Sequence, residues 1–310
     1  MIEILFSAPE SYGGKYIPPI REALDSLGLA HRIETECGDP ARVDYIICAP
    51  NGPVTDFSPF TRARAVLSLW AGVERFVHNP TLTQPLLRMV NPGMTAGMVE
   101  YVTGHVLRHH LGMDTHIRRE KPEWQPEIPP LASERRVSVL GLGALGQASA
   151  QALAGLGFDV AGWSRSPKSI EGIRCLSGAS GLEEALGRAE ILVLLLPLTD
   201  ETENILDAAR LALLPEGAAI INPGRGPLID DDALLAALDR EHLAHATLDV
   251  FRTEPLPESH PFWHHPKITV TPHIASDTRP AQAARVIAEN IRRGEAGEPF
   301  LHQVDRSAGY

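Results

Sequence analysis

Short apolar runs separated by candidate helices constrain the fold of this chain more strongly than any other feature. In its second half such runs lie at 137–140, 159–163, 191–196, 218–222, 246–250 and 268–271, with helices predicted near 144–156 and 182–188. Parallel strands that are buried on both faces have this pattern, because helices cover the sheet on each side. The sequence therefore predicts an α/β fold with a doubly wound parallel sheet.

The first half shows the same alternation more weakly. Strands are predicted at 2–6, 45–48 and 65–69, and helices at 19–27, at 97–112 and, near the end of the chain, at 281–293. The stretch 121–130, KPEWQPEIPP, is predicted to be a loop in which Trp124 packs, because its four prolines do not fit inside a helix. At about 150 residues per domain, 310 residues indicate two domains, with one large domain as the alternative.

Charge and cysteine content argue against several classes of partner. The chain has 28 Lys and Arg residues against 39 Asp and Glu residues, and a net charge of −11 disfavours nucleic-acid binding. Its start, MIEILFSAPE, lacks the basic region of a signal peptide, and no apolar run approaches the roughly 20 residues of a membrane helix. Three cysteines without paired spacing are typical of reduced thiols. We expect a cytoplasmic protein with no nucleic-acid or membrane partner.

A glycine-rich turn, GLGALG at 141–146, follows one predicted strand and opens the next helix. Gly141 permits a tight turn, Gly143 allows a pyrophosphate to approach the backbone, and Gly146 lets the helix pack closely on the strand. The helix that begins at Ala144 and Leu145 would direct its amide groups and the positive end of its dipole at the phosphates. The turn predicts a dinucleotide site; the alternative is a βα turn shaped by glycines alone.

Basic side chains follow the next predicted strand, where NAD-binding folds place an acidic residue on the ribose hydroxyl. The sequence there reads WSRSPK at 163–168 and contains no acid. Ser164 offers a hydrogen bond to a 2′-phosphate, and Arg165 and Lys168 offer positive charge. We therefore expect NADPH in preference to NADH, with NAD as a possible cofactor, and a solvated basic turn as the alternative reading of these residues.

Three chemically complementary residues follow three successive predicted strands. Arg225 lies after the strand at 218–222, Glu254 after that at 246–250, and His273 after that at 268–271. Ligands of open α/β sheets bind outside the carboxyl ends of the strands, so these side chains are expected to meet there. Arg225 would stabilise negative charge on a ketone oxygen, His273 would supply the proton, and Glu254 would raise the pKa of His273. The set predicts reduction of a ketone by hydride transfer.

With these residues in view, the chain resembles the D-isomer-specific 2-hydroxyacid dehydrogenases. The motifs GLGALG, NPGRGPLIDDDALLAAL, LDVFRTEPLP and TPHIA occur in the order typical of that family, most clearly from residue 98 onward. WSRSPK and the ending QVDRSAGY are most similar to family members that reduce small 2-keto acids. The resemblance implies an NADPH-dependent reductase of glyoxylate or hydroxypyruvate that forms a homodimer. It also implies a dinucleotide-binding domain over 98–275 and a discontinuous substrate domain over 1–97 and 276–310.

The resemblance also implies a role for each matching residue. Arg225 binds the substrate carboxylate and polarises the keto oxygen, Glu254 keeps the imidazole protonated, and His273 donates the proton. Asp249 orients the nicotinamide carboxamide. The remaining matches are the Leu196-Pro197 turn beside the adenosine and the Ala71-Gly72-Val73 loop, whose amide groups receive the substrate carboxylate.

Two positions depart from the family pattern, and two other functions stay open. Ala49 stands where close relatives carry tryptophan, and Trp70 stands where they carry glycine. An NAD-linked dehydrogenase of a bulkier 2-hydroxy acid is therefore one alternative, and a non-catalytic dinucleotide sensor is the other. A metal site is not expected, because His105, His109 and the other histidines lack an H-E-x-x-H or Cys/His spacing.

Overall fold

Parallel strands form two separate sheets in the computed structural model of the chain, which describes residues 1–117, 122 and 124–306. The chain divides into two units, one comprising Met1–Met94 with Thr278–Tyr310 and the other Thr95–Asp277. The second unit is continuous in sequence, whereas the first is assembled from both ends of the chain. Lys121 and Glu123 of the proline-rich stretch, and the last four residues of the QVDRSAGY ending, lie outside the described residues.

Strands and helices alternate along most of the chain, as the apolar runs predict. The strands are β1 (Ile2–Ser7), β2 (His31–Glu34), β3 (Tyr45–Cys48), β4 (Ala65–Ser68), β5 (Leu86–Leu87), β6 (Arg136–Leu140), β7 (Asp159–Ser164), β8 (Arg174–Ser177), β9 (Ile191–Leu194), β10 (Ala218–Asn222), β11 (Leu243–Leu248) and β12 (Ile268–Val270). The helices are α1 (Glu10–Ser26), α2 (Glu74–Val77), α3 (Pro92–His110), α4 (Met113–Ile117), α5 (Ala144–Gly155), α6 (Gly178–Arg188), α7 (Ala208–Leu211), α8 (Asp231–Asp239) and α9 (Pro280–Ala296).

The first unit is built on a sheet with the strand order β2-β1-β3-β4-β5. Two of its helices, α1 and α9, pack against each other. Tyr16, Ile20 and Leu24 of α1 are buried at a spacing of four residues, so one face of the helix points into the core. The helix predicted at 19–27 therefore begins earlier, at Glu10, and contains Pro18 and Pro19. Two prolines argue for a helix start on propensity alone, but burial of the apolar face stabilises the longer helix.

The second unit has the sheet order β12-β11-β10-β9-β6-β7-β8, and every pairing in it is parallel. This is the doubly wound order in which the chain reverses direction across the sheet between β6 and β9. The five inner strands, β6, β7, β9, β10 and β11, are largely buried, which explains their apolar sequences. The predicted α/β doubly wound fold is confirmed. Among the described helices, none is long and apolar enough to cross a membrane.

The strands that the sequence pattern missed lie at sheet edges. β2 and β5 border the first sheet and β8 borders the second, and edge strands are short or half exposed, so they lack a continuous apolar run. β11 starts at Leu243 and ends at Leu248, rather than spanning 246–250, because the buried polar His245 belongs to the strand. The prediction that Trp124 packs within its loop is wrong, since its side chain is 99% exposed and residues 124–128 are exposed throughout.

Candidate active site and cofactor loop

Glu254 and His273 meet at the carboxyl edge of the second sheet. β10, β11 and β12 are neighbours there, and Arg225, Glu254 and His273 follow them in turn. His273 Nδ1 lies 2.7 Å from Glu254 Oε2, and because a carboxylate only accepts hydrogen bonds, the imidazole donates its Nδ1 proton. Arg225 is close enough for its charge to act on both partners. The structure therefore brings the three predicted catalytic residues into one electrostatic cluster.

The ionisation of this pair follows from its contacts. The hydrogen bond and charge of Glu254 raise the pKa of His273 above its ordinary 6.5, while burial and Arg225 oppose the rise. Burial acts to raise the pKa of Glu254, but hydrogen bonds from His273 and from the backbone N–H of Phe251 at 2.9 Å outweigh it and hold that pKa below its ordinary value. The pair therefore favours a carboxylate beside an imidazolium.

A buried asparagine that the sequence analysis did not single out shapes the turn that carries Arg225. Asn222 Nδ2 donates to the Arg225 carbonyl at 2.9 Å, and its Oδ1 accepts from Gly224 N–H at 3.1 Å. A Cβ on Gly226 would overlap the backbone of Phe251, so this turn packs directly on the loop that follows β11. Asparagine at the end of a strand, before proline and glycine, is a turn signal that points to this role.

Asp249 holds the loop that carries His273. Its fully buried carboxylate accepts hydrogen bonds from Ile274 N–H at 2.9 Å, Ala275 N–H at 2.8 Å and the Thr271 hydroxyl at 2.6 Å. His273 itself has a φ of 53°, in the left-handed region, and its N–H donates to the Asp249 carbonyl. Anchoring this loop is a function of Asp249 that the sequence did not reveal; its contact with a nicotinamide stays a prediction.

The glycine loop has the local geometry of a ligand cradle. Gly141 has a φ of +103°, and a Cβ there would overlap the Leu195 carbonyl, so only glycine fits. A Cβ on Gly146 would overlap the carbonyl of Gly141, which shows how closely α5 approaches the end of β6. By contrast, a Cβ on Gly143 would meet no atom within 4 Å. The middle glycine thus faces open space, as the approach of a phosphate group requires.

The start of α5 is suited to bind an anion. Gly143 is its N-cap and has no side chain to satisfy the amide groups of the first turn, which begins with Ala144 and Leu145. The Leu196-Pro197 turn follows the adjacent β9, with Leu196 buried and the Pro197 carbonyl accepting from the Thr202 hydroxyl at 2.7 Å. These residues fit a dinucleotide at the switch point between β6 and β9.

The basic turn after β7 contacts the glycine loop. Lys168 Nζ donates to the Leu142 carbonyl at 2.6 Å. This hydrogen bond holds Lys168, which is predicted to bind the 2′-phosphate, beside the glycine loop. Arg165 lies 3.4 Å from Glu201 across an exposed ion pair. Ser164 is almost buried, and its hydroxyl donates to the backbone carbonyl two residues later at 2.8 Å. Ser164 therefore shapes the turn, and Arg165 and Lys168 provide its charge.

The predicted substrate loop belongs to the first unit. Ala71, Gly72 and Val73 follow β4 at the carboxyl edge of the first sheet, where ligands of open α/β sheets bind. Ala49 follows the neighbouring β3 and is buried, and the Trp70 N–H donates to the Ser68 hydroxyl at 3.1 Å. The two positions that depart from the family pattern thus lie on adjacent strand ends.

One histidine of α3 has a structural hydrogen-bond partner. His109 Nε2 lies 3.0 Å from the Thr247 hydroxyl, and burial lowers the pKa of His109 to about 3. The ring of His105 contacts that of Tyr101, with the two planes tilted by 51°. Within the described part of the chain, no group of three or more His, Cys, Asp and Glu side chains is arranged to bind a metal ion.

Comparison with known sequences identifies the family. Residues 103–275 match the sequence profile described as D-isomer specific 2-hydroxyacid dehydrogenase, NAD binding domain. The chain is 42% identical over 257 residues to glyoxylate/hydroxypyruvate reductase A of Serratia proteamaculans, covering 80% of this chain and 82% of that protein.

Solved structures agree with this match. A D-isomer specific 2-hydroxyacid dehydrogenase from Xanthobacter autotrophicus, in complex with NADPH and MES, has a TM-score of 0.92 and 43% identity over 99% of both chains. An NADPH-dependent glyoxylate/hydroxypyruvate reductase from Sinorhizobium meliloti, in complex with NADP and sulfate, has a TM-score of 0.87 and 34% identity over 100% of both chains. The fold, the glycine loop and these similarities lead to one conclusion: the chain belongs to the D-isomer-specific 2-hydroxyacid dehydrogenase family.

Proposed function

We propose that the chain catalyses the NADPH-dependent reduction of a small 2-keto acid, glyoxylate or hydroxypyruvate, to the 2-hydroxy acid. The observation that carries this proposal is the 2.7 Å hydrogen bond between His273 and Glu254, within reach of the charge of Arg225. It combines a proton donor, a carboxylate that maintains its charge and a guanidinium for an anion. The names of the relatives from Serratia and Sinorhizobium support the substrate class, and the bound NADPH and NADP of the neighbours support the cofactor.

NADPH fits the residues of the glycine loop. In our proposal its pyrophosphate lies against 141–146 and the first turn of α5, because Gly143 leaves open space there. Its 2′-phosphate lies against Arg165 and Lys168. When bound, NADPH supplies the hydride that reduces the keto carbon.

The protein side chains control charge and proton transfer. Arg225 binds the substrate carboxylate and stabilises negative charge on the keto oxygen. His273 uses Nδ1 for Glu254, so Nε2 is the atom that donates a proton to this oxygen. Before proton transfer, Glu254 stabilises the charged imidazole. After transfer from Nε2, the hydrogen bond to Glu254 keeps the remaining proton on Nδ1, which fixes the tautomer of the neutral ring. The role of the 71–73 loop as a substrate ligand stays a prediction.

The direct experiment follows the absorbance of reduced nicotinamide with the purified chain and a panel of 2-keto acids. We expect turnover with NADPH and glyoxylate or hydroxypyruvate, at higher kcat/KM than with bulkier 2-keto acids. Higher kcat/KM for a bulky acid with NADH would favour the dehydrogenase that the change at Ala49 suggests. Cofactor binding without turnover on any acid would instead favour a dinucleotide sensor.

Arg165 gives the sharpest test of cofactor choice. Replacing Arg165 by alanine removes a charge from the proposed 2′-phosphate site, and NADH lacks that phosphate. We expect kcat/KM for NADPH to fall about 10- to 100-fold relative to NADH, the effect of one charged hydrogen bond. The matched control is Arg174→Ala, a change at an exposed arginine of the neighbouring β8 that is paired with Glu184. An unchanged NADPH to NADH ratio in Arg165→Ala would show that the basic turn is merely solvated.

Glu254→Gln tests the proton donor through its pH profile. The folded-state pKa of His273 is raised above 6.5, so reduction is supported at lower pH and declines as pH rises through that pKa. Glutamine removes the charge of Glu254, so the pKa of His273 falls and the decline moves to lower pH. The measurement is kcat/KM against pH, with Glu258→Gln, an exposed residue of the same loop, as control. An unmoved profile for Glu254→Gln would contradict this role.

We further propose that the protein is a cytoplasmic homodimer. Large apolar side chains between residues 111 and 131 are exposed in the single chain, namely Leu111, Met113, Ile117, Trp124, Ile128 and Leu131. Such a concentration of apolar surface favours contact with a second subunit.

All three cysteines are free, which is compatible with a reducing compartment. Light scattering after gel filtration measures the mass in solution, and a monomer at micromolar concentration would contradict the dimer.

A further inference from the structure

A relay of partly buried hydroxyl groups ends at the loop that carries His273. Thr271 Oγ1 donates to Asp249 Oδ1 at 2.6 Å, and the Tyr101 hydroxyl lies 2.7 Å from Thr271 Oγ1. Thr271 has a single hydroxyl proton, and the carboxylate receives it, so Tyr101 must be the donor to Thr271. Hydrogen bonds therefore run in one direction, from Tyr101 through Thr271 to Asp249.

Asp249, where the relay ends, also holds the loop that carries His273. The same Asp249 carboxylate accepts the backbone N–H groups of Ile274 and Ala275 at 2.9 and 2.8 Å. The carboxylate is fully buried, and a buried charge depends on each of its hydrogen-bond donors. Removing the Thr271 hydroxyl therefore takes one donor from the Asp249 carboxylate and loosens its hold on the loop on both sides of His273.

The backbone conformation of His273 has to be imposed by hydrogen bonds from the surrounding structure. A φ of 53° is disfavoured for any residue with a side chain, so surrounding contacts must impose it. The His273 N–H donates to the carbonyls of Asp249 at 2.9 Å and Thr271 at 3.0 Å. The two residues that bind each other through their side chains thus also hold His273 through their main chains, and this backbone places the imidazole against Glu254.

Tyr101 anchors the relay on α3. Its ring contacts that of His105, with centroids 4.4 Å apart and planes tilted by 51°, and this contact restrains the tyrosine side chain. Burial raises the pKa of Tyr101 above its ordinary 10, so the hydroxyl keeps its proton and stays a donor at physiological pH. Thr269, two residues before Thr271 in the sequence, binds Arg108 and His245 instead.

We propose that Tyr101 and Thr271 are positioning residues for the reaction: through Asp249, their hydroxyl relay holds His273 against Glu254. The inference rests on the proposed function and deepens it. Neither hydroxyl supplies a proton to the substrate in this scheme. Their contribution is the orientation of the proton donor, a distance-sensitive requirement of general acid catalysis.

Steady-state kinetics with NADPH and glyoxylate tests the relay. We expect Thr271→Val to lower kcat about tenfold, equivalent to about 1.4 kcal/mol, and Thr271→Ser to restore it to within about twofold. Tyr101→Phe should lower kcat about threefold, and the double variant should match Thr271→Val because both changes break one relay. The KM for glyoxylate should change little. The control is Thr269→Val, which removes a hydroxyl group two residues earlier in the sequence that is not part of the relay.

The pKa of the His273 imidazole gives a second measurement that does not need turnover. Carbon-13-labelled histidine is titrated by NMR, and the signal of His273 is identified by its loss in His273→Asn. The charged groups that act on this ring are Glu254, Arg225 and Asp249. We expect Thr271→Val to lower the pKa of His273, because the released loop weakens its hydrogen bond to Glu254.

The outcomes separate the relay from the proposed function. If Thr271→Val and Tyr101→Phe keep the wild-type kcat and His273 pKa, the relay is overturned. It is also overturned if Thr269→Val has an equal effect, which would indicate general packing of α3. If Thr271→Val does not fold, Tyr101→Phe decides by the same two measurements. If the wild-type chain reduces no keto acid, the proposed function fails, and the NMR titration alone decides the relay.

Discussion

His273→Asn is expected to lower kcat for keto-acid reduction by about 10²–10⁴-fold, the usual contribution of a general acid. Asparagine is the appropriate replacement, because after glycine it best tolerates the left-handed backbone that His273 adopts with a φ of 53°. The loop held by Asp249 therefore stays in place while the proton donor is lost. NADPH binding, measured by fluorescence, should be retained.

The control for this variant is His264→Asn. His264 is an exposed histidine of the same unit and lies outside the cluster of Arg225, Glu254 and His273. It should keep wild-type kcat. If His273→Asn retains more than about a tenth of the wild-type kcat, general acid catalysis by this residue is excluded, because the loss is smaller than such a group contributes.

Arg225→Gln is expected to reduce kcat about 10²–10³-fold, as removal of a donor to a developing oxyanion does, and to raise the KM for the keto acid as well. Both parameters change because the guanidinium binds the substrate carboxylate and also stabilises the transition state. Arg225→Lys should recover only part of the activity, since an ammonium group lacks the planar fork of arginine.

Removal of Arg225 also has a distinctive effect on pH dependence. Its charge lowers the pKa of His273, so Arg225→Gln should move the decline of reduction to higher pH, opposite to Glu254→Gln. Arg240→Gln, a change at the exposed arginine that directly follows α8, is the control. A normal KM for the keto acid in Arg225→Gln would show that the substrate carboxylate binds elsewhere.

The sequence predicts the site to the extent that its parts depend on strand order. Arg225, Glu254 and His273 each follow a strand of the same parallel sheet, so their position at one edge follows from the fold class. The glycine loop is readable for the same reason, since its three glycines have local requirements of conformation and space.

Contacts between distant segments are beyond such reasoning. Tyr101 reaches Thr271 across 170 residues of sequence, and Lys168 binds the Leu142 carbonyl across 26, so neither contact has a local pattern. The left-handed backbone of His273 is also hidden, because histidine at that position carries no conformational signal in the sequence. Strand ends are readable from apolar runs, whereas the hydrogen bonds that orient side chains depend on packing.

The split origin of the first unit has a consequence for synthesis on the ribosome. Its core joins β1, β3 and α1 to Ala284, Ile287 and Ile291 of α9, which are translated after the whole second unit. A nascent chain therefore completes the continuous second unit while the first still exposes the apolar face that α9 will cover. Chaperones that recognise exposed apolar surface can bind the first unit in this interval, before α9 leaves the exit tunnel.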